Sequence, residues 1–345
     1  MFSVRQVLGA RVYPRWFKSW NSELDAVLNA LPEAECCSHE LYRLLCTNNQ
    51  DLSKTFAIIY DEIEEPIGVV CLRRREALND WVPLTHYSIP GMIFPTKEGS
   101  LVKVLSVLNN MNVWIAWWRM GDFAEDIDCV RSVEVVPTYE IDCSGGCEEI
   151  WRKSNHIRLI KRARKRCEGF EIRINAEHMI EWVISSWERK WRKIHEAQRQ
   201  DLEDKICIAK YLERCGKQFT FTLHDNENPI AGHTFLVHEK SLVWQYTYRN
   251  HDYDEFSAGT YLMYYATKWA IESGFKAIDL GGDYPEHKKK WGSIKGSKTS
   301  IHICPKYLIT IRRCQEILCY VKAKGLRQSL ITATSRIVDN AKACN

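Results

Sequence analysis

Apolar and polar positions alternate over two stretches of the chain in a way that predicts β-hairpins. Thr55 to Ile63 and Ile67 to Arg73 are rich in Ile, Val and Phe and meet at the polar turn Asp61-Glu62-Ile63-Glu64-Glu65-Pro66. Gln218 to His224 and Ile230 to Val237 repeat the pattern around Asp225-Asn226-Glu227-Asn228-Pro229, and Pro66-Ile67-Gly68 is matched by Pro229-Ile230-Ala231-Gly232. Each hairpin is followed by a helical stretch and then a short apolar strand. Asn112 opens Val113-Trp114-Ile115-Ala116 and Phe275 opens Lys276-Ala277-Ile278-Asp279-Leu280, each 46 residues beyond its hairpin proline. Equal spacing through a helix to a strand predicts duplication of one α/β unit.

Between the repeats, 147–167, 176–193 and 201–215 have helical composition, and 307–343 alternates apolar and basic residues at helical spacing. The expected fold is mixed α/β (α+β): two tandem units, each a mostly antiparallel mixed sheet flanked by helices. The expected boundaries are an N-terminal unit over 1–145, a C-terminal unit over 146–310 and a helical extension over 311–345.

Composition narrows the class without changing that picture. A chain of 345 residues, 45% hydrophobic and 27% charged, is globular and long enough for two medium domains. Its net charge of +4 is too small for wholesale coating of nucleic acid. The fourteen cysteines are scattered, and no C-x-x-C occurs, so most read as small buried apolar residues in a reducing compartment. Met1 to Tyr13 carries Arg5 and Arg11 and lacks a secretory apolar run, and no stretch approaches the ~20 apolar residues of a membrane span. A soluble cytoplasmic protein is expected. Charge is concentrated in one place: Arg158, Lys161, Arg162, Arg164, Lys165 and Arg166. A solvated helix face is the ordinary reading of such a run, and a phosphate-bearing partner the functional one.

Chemistry concentrates over 242–292. Leu242 to Tyr248 reads as a strand, Arg249 to Phe256 as a polar loop, and Ser257-Ala258-Gly259-Thr260 as the start of a helix. Leu262, Tyr265, Ala266, Trp269 and Ala270 form its apolar stripe, Ser257 its N-cap and Gly274 its terminator. A strand feeding a small-residue turn and a helix start is a way to hold a pyrophosphate, and equally an ordinary connection. Asp279 and Asp283 fall at the C-terminal end of the next strand, where α/β sheets place ligands. Each is a candidate base or a turn cap, and Tyr284 and His287 are candidate acids. His233 shares a strand face with Phe235 and Val237 and reads as a hydrogen-bonded core residue.

The run Ser257-x-Gly259-Thr260, Trp269-Ala270-x-x-x-Gly274, Asp279-Leu280-Gly281-Gly282 and Lys288-x-x-Trp291-Gly292 resembles GNAT-superfamily acetyltransferases of the cellulose-biosynthesis-type branch. That branch is similar in turn to the twin-GNAT Fem-type aminoacyltransferases. The resemblance extends through 137–142 and 151–166. It implies an acyltransferase moving an acyl group from acetyl-CoA or another acyl-CoA to an amine of a small metabolite or amino sugar, with no metal. It places phosphates at Ser257, Ala258, Gly259 and Thr260, the acyl arm near Tyr246 and Tyr248, and Lys288 in the donor site. The usual signature, Gln/Arg-x-x-Gly-x-Gly/Ala, here falls on Asp254-x-x-Ser257-x-Gly259, so two of its positions differ. Two alternatives stand beside this reading: aminoacyl-tRNA as donor, with tRNA as partner, and a non-catalytic GNAT-like binding module. Oligomeric state is open.

Overall fold

The computed structural model describes residues 12–33, 38–47, 54–75, 80–83, 94–108, 111–118, 130–146, 150–151, 157–191, 202–281 and 285–303. Two copies of one element order follow each other. The first runs β1 (Tyr13–Phe17), α1 (Ser22–Ala30), α2 (His39–Thr47), β2 (Lys54–Tyr60), β3 (Pro66–Arg75), β4 (Asp80–Pro83), α3 (Leu101–Val107), β5 (Val113–Trp118) and β6 (Val130–Asp142). After α4 (Ile157–Arg166), the second runs β7 (Glu171–Ile174), α5 (Met179–Trp191), α6 (Leu202–Arg214), β8 (Gln218–Asp225), β9 (Asn228–His238), β10 (Ser241–Arg249), α7 (Ala258–Glu272), β11 (Ala277–Gly281), the short α8 (Pro285–Lys288) and β12 (Ser293–Ile303). The predicted C-terminal helices over 307–343 lie outside the described residues.

Register supports the duplication in more detail than spacing does. In the first hairpin Tyr60 faces Pro66 and Ile59 faces Gly68, so Ile67 is bulged out. In the second, His224 faces Pro229 and Leu223 faces Ala231, so Ile230 is bulged out at the same point. Both isoleucines are buried. An extra residue at one position bends both hairpins alike.

The two sheets are continuous. The strand order is β1-β2-β3-β4-β5-β12-β6-β11-β10-β9-β8-β7, because the last strand of each repeat pairs with the fifth strand of the other. β6 lies against β11 and β12 against β5, and the two exchanged strands pair with each other antiparallel along ten register positions. Each unit in space therefore contains one strand from the other repeat.

Alternation along the strands sends side chains to two helical layers. Phe56, Ile58, Val69 and Cys71 pack on α1 and α2, whereas Ala57, Ile59, Val70 and Leu72 pack on α3. In the second unit Phe221, Leu223, Phe235, Leu242 and Ile278 pack under α7 and α4, and Tyr246 with Val183 and Ala209 belongs to the α5 and α6 side. One core cluster crosses between units: Leu24, Leu28, Leu41 and Leu45 meet Ile208, Leu212, Leu236 and Val243. Beside it the Tyr211 hydroxyl donates to Glu40 Oε2 at 2.9 Å, and buried Arg73 pairs with buried Asp204, which also lies 3.9 Å from the Lys54 ammonium. Of the six described cysteines, Cys46, Cys71, Cys143 and Cys167 are buried, as small apolar residues would be. No helix among the described residues is long and apolar enough to cross a membrane.

Candidate functional site

β10 and β11 run parallel, yet only Ser241, Leu242 and Val243 find partners, in Ala277, Ile278 and Asp279. Past that level β10 bulges: Trp244 faces Phe235 and Thr247 faces His233, leaving Gln245 and Tyr246 opposite Thr234 alone. β11 shifts register there too, with Asp279 facing Glu140 and Gly281 facing Tyr139. The parallel pairing thus stops at Val243 and Asp279, toward the C-terminal end of β11, the end at which α/β sheets place ligands.

The polar loop expected after β10 is a pair of 3-10 turns over His251–Phe256, which leads into α7. Ser257 stands at the expected cap position, but it lies in the left-handed region (φ 56, ψ 42) and makes no side-chain cap bond. Its carbonyl instead accepts the amides of Thr260 (2.9 Å) and Tyr261 (3.2 Å). The amides of Ala258 and Gly259 then have no acceptor within the helix. A left-handed residue with a side chain carries strain of the sort found at ligand sites. A Cβ built on Gly259 would meet only His233, with Nε2 at 3.9 Å, which is ordinary contact. Internal packing does not require glycine there.

His233 is buried and lies in the middle of a chain of hydrogen bonds. The Trp244 indole N–H donates to its Nδ1 at 3.1 Å, so Nε2 carries the proton and donates to the Gly259 carbonyl at 3.0 Å. Burial pushes its pKa down to about 4, with the nearby His287 adding to the fall and the Gly259 bond opposing it. The imidazole is neutral at physiological pH.

Charge is gathered around the helix start. Asp254, the acidic departure from the pyrophosphate signature, is paired with Arg249 at 3.4 Å and with His251 at 3.3 Å. The Lys190 ammonium is held below its ordinary pKa, first by burial and then by Arg249, with Asp254 opposing. On the other side Arg166 donates to the Glu255 carbonyl and Arg164 lies over the Tyr264 ring at 4.9 Å. These two arginines seat α4 on α7 and on the turns that precede it. Ile160 and Ala163 face inward, and Arg158, Lys161, Arg162 and Lys165 form an exposed stripe at i, i+3, i+4, i+7.

The sequence-predicted residues distribute unevenly. Asp279 is 1% exposed, and its Oδ1 accepts the Gly281 amide at 2.7 Å, the geometry of a turn cap. His287 is exposed and lies between Trp244 and Trp291, 6.4 Å from each ring centre. Tyr246 and Tyr248 pack edge-on against Trp187 and Trp182, and the Tyr246 amide is engaged by Thr234 Oγ1 at 3.0 Å. The carbonyl of Lys288 accepts the amides of Trp291 and Gly292. In the Lys288-x-x-Trp291-Gly292 motif, Trp291 is buried edge-on to Trp151 at 5.4 Å, and any Cβ on Gly292 would collide with the Glu140 carbonyl. The last two positions of that motif serve packing of β12 on β6. Asp283 and Tyr284 lie outside the described residues. Missed from sequence were Trp244, Arg249 and Lys190, along with any role for His233 beyond packing. Alternation places His233 and Phe235 on one face of β9, and it takes the β9–β10 register, with Trp244 opposite Phe235, to set the indole beside His233.

Residues 154–289 match the model of the acetyltransferase (GNAT) domain. Among solved structures the chain is similar to L-PGS from Bacillus licheniformis, with 12% identity and a TM-score of 0.54, over 89% of this chain and 98% of that one. A conserved protein of unknown function from Bacteroides thetaiotaomicron aligns at 14% identity and TM-score 0.48, over 84% and 99% of the two chains. FemX aligns at 10% and 0.42, over 86% and 99%. No curated protein matches. The first likeness establishes a shared fold along nearly the whole of both chains.

Proposed function

We propose that the protein is an acyltransferase that takes an acyl group from an acyl-coenzyme A and delivers it to an amine of a small molecule or amino sugar. The observation that carries this reading is the parting of β10 from β11 beside the unpartnered first turn of α7. Amides at Ala258 and Gly259, the Thr260 and Ser257 hydroxyls and the helix dipole suit a pyrophosphate. Asp254 does not oppose that anion with a lone charge, because the Arg249 guanidinium is paired with it at 3.4 Å. The acyl arm runs between the strands along Tyr246 and Tyr248, with Lys288 bordering the site.

In the reaction the acceptor's neutral amine attacks the thioester carbonyl, the C–N bond forms, and the C–S bond breaks with the thiolate leaving. One group must remove the ammonium proton and one must supply a proton to sulfur. Asp279 or Asp283 fills the first role and Tyr284 or His287 the second. Placement in the cellulose-biosynthesis-type branch and in the cytoplasm belongs to the same proposal, supported by the motif residues and by the scattered, mostly buried described cysteines.

A second reading, with aminoacyl-tRNA as donor, is favoured by the exposed Arg158-Lys161-Arg162-Lys165 stripe, which suits a phosphodiester backbone. Thermal unfolding with acetyl-CoA, a long-chain acyl-CoA and bulk tRNA separates these readings, since a ligand bound only by the folded state raises the midpoint. Stabilisation by either coenzyme is the expected result. Stabilisation by tRNA alone selects the second reading, and no response to any of the three leaves a binding module.

A further inference from the structure

We infer that His233 is a positioning residue of the donor cleft, tying the bulged strand β10 to the first turn of α7 through the relay Trp244 to His233 to Gly259. The inference rests on the donor site proposed above. Both bonds of the relay are direct, at 3.1 and 3.0 Å, and the ring is 3% exposed, so no water competes for either nitrogen.

What the relay fixes follows from peptide geometry. The Gly259 carbonyl and the Thr260 amide belong to one planar unit. His233 holds the carbonyl end of that plane, and the Ser257 carbonyl holds the amide end at 2.9 Å. With both ends anchored the plane cannot rotate about the helix start, and the preceding amides keep their direction toward the parting of the strands. Trp244 sits at the last regular pair before the bulge. The indole therefore links the strand that borders the acyl arm to the helix turn that faces the phosphates.

The first unit has no counterpart. By register Phe235 corresponds to Leu72, which places Val70 where His233 stands and Pro83 where Trp244 stands. Val70 is fully buried in an apolar cluster, so this position by itself needs no polar residue to complete a core.

The test is titration of acetyl-CoA into the full chain by calorimetry, below the melting midpoint of every variant used. His233→Phe keeps the volume and loses both bonds, and should weaken binding by about tenfold or more. His233→Gln carries an acceptor and a donor on one planar group and should recover most of the affinity. Trp244→Phe removes the indole N–H together with part of the ring, leaves the Gly259 bond in place, and should fall between. If His233→Phe and Trp244→Phe bind the coenzyme as tightly as wild type, the relay is only packing and the inference fails while the donor site stands. If wild type takes up no coenzyme, the donor reading fails and the positioning role with it.

Discussion

The two units share a frame and differ in what they place on it. Matching the bulged isoleucines aligns Lys54 with Gln218, Arg73 with Leu236, Val82 with Val243 and Val113 with Ile278. Trp114 then follows Val113 where Asp279 follows Ile278. Among the described residues the first unit has a helix α3 of 7 residues and one parallel pair, Trp81 with Val113; the second has α7 of 15 residues and a strand that continues past its parallel pairs into a bulge. Duplication retained the hydrophobic rows and the bulge, which set the fold. Charge and strand geometry then diverged: the first unit carries buried cations that bind its neighbour, and the second carries the bulged strand beside the start of α7.

The largest effect should come from that buried charge. Asp204 of α6 is 1% exposed beside Arg73 and Lys54. Asp204→Ala leaves two cations without their carboxylate and should cost about 3–5 kcal/mol in denaturant unfolding. Adding Lys54→Gln and Arg73→Leu copies the second unit's row and should recover most of the loss. A cost below ~1 kcal/mol for the single variant would place it in the range of a surface pair and show that the units are not joined by charge.

His233 against Val70 gives the next contrast. Its folded pKa of about 4 lies below the ordinary 6.5, so between those values the unfolded chain binds more protons and stability rises with pH. The contribution is complete above about pH 6.5 and fades as pH falls toward 4, by on the order of 3 kcal/mol in all. Unfolding free energies of wild type and His233→Gln across that window should diverge in slope, the variant being flatter. Parallel slopes would mean the imidazole is not held neutral.

Asp279 against Trp114 bears on chemistry. Asp279→Asn can still accept the Gly281 amide, so fold and coenzyme binding should persist while turnover falls by roughly a hundredfold if the carboxylate is the base. Unchanged turnover would leave Asp279 as the turn cap that its 2.7 Å bond already makes it, and would move the base elsewhere.

These contrasts also mark how far sequence reaches. Hairpins, helix α7 and strand β11 were legible because local alternation and turn chemistry decide them, and the repeat was legible because the same local patterns recur. The strand exchange was not, since β6 and β12 choose partners more than a hundred residues away and nothing in their own pattern names them. The matched spacing of 46 was also only approximate: register aligns Val113 with Ile278, 47 and 49 residues after their prolines. At the site, Gly259 and Ser257 could be found from the turn pattern. Ser257's left-handed backbone and His233's two bonds depend on tertiary register, which a residue's neighbours in sequence do not determine.

The smallest effect separates two glycines at helix starts. Gly99, just before α3, has φ +72 with nothing within 4 Å of an added Cβ, so its backbone conformation is what calls for glycine. Gly259 lies in the first turn of α7, with no left-handed φ and ordinary contact for a Cβ. Gly99→Ala should therefore cost about 1 kcal/mol of stability. Coenzyme affinity should be unchanged in that variant. Gly259→Ala should do the reverse, leaving stability level or raised by up to ~1 kcal/mol because alanine is the better helix former. Acetyl-CoA affinity should fall about tenfold, the equivalent of ~1.4 kcal/mol, because the new methyl occupies the approach to the first-turn amides. Melting midpoint and calorimetric titration measured together on both variants give the crossing pattern. If Gly259→Ala gains stability and keeps its affinity, the glycine serves neither fold nor donor, and the phosphate site must be sought away from the start of α7.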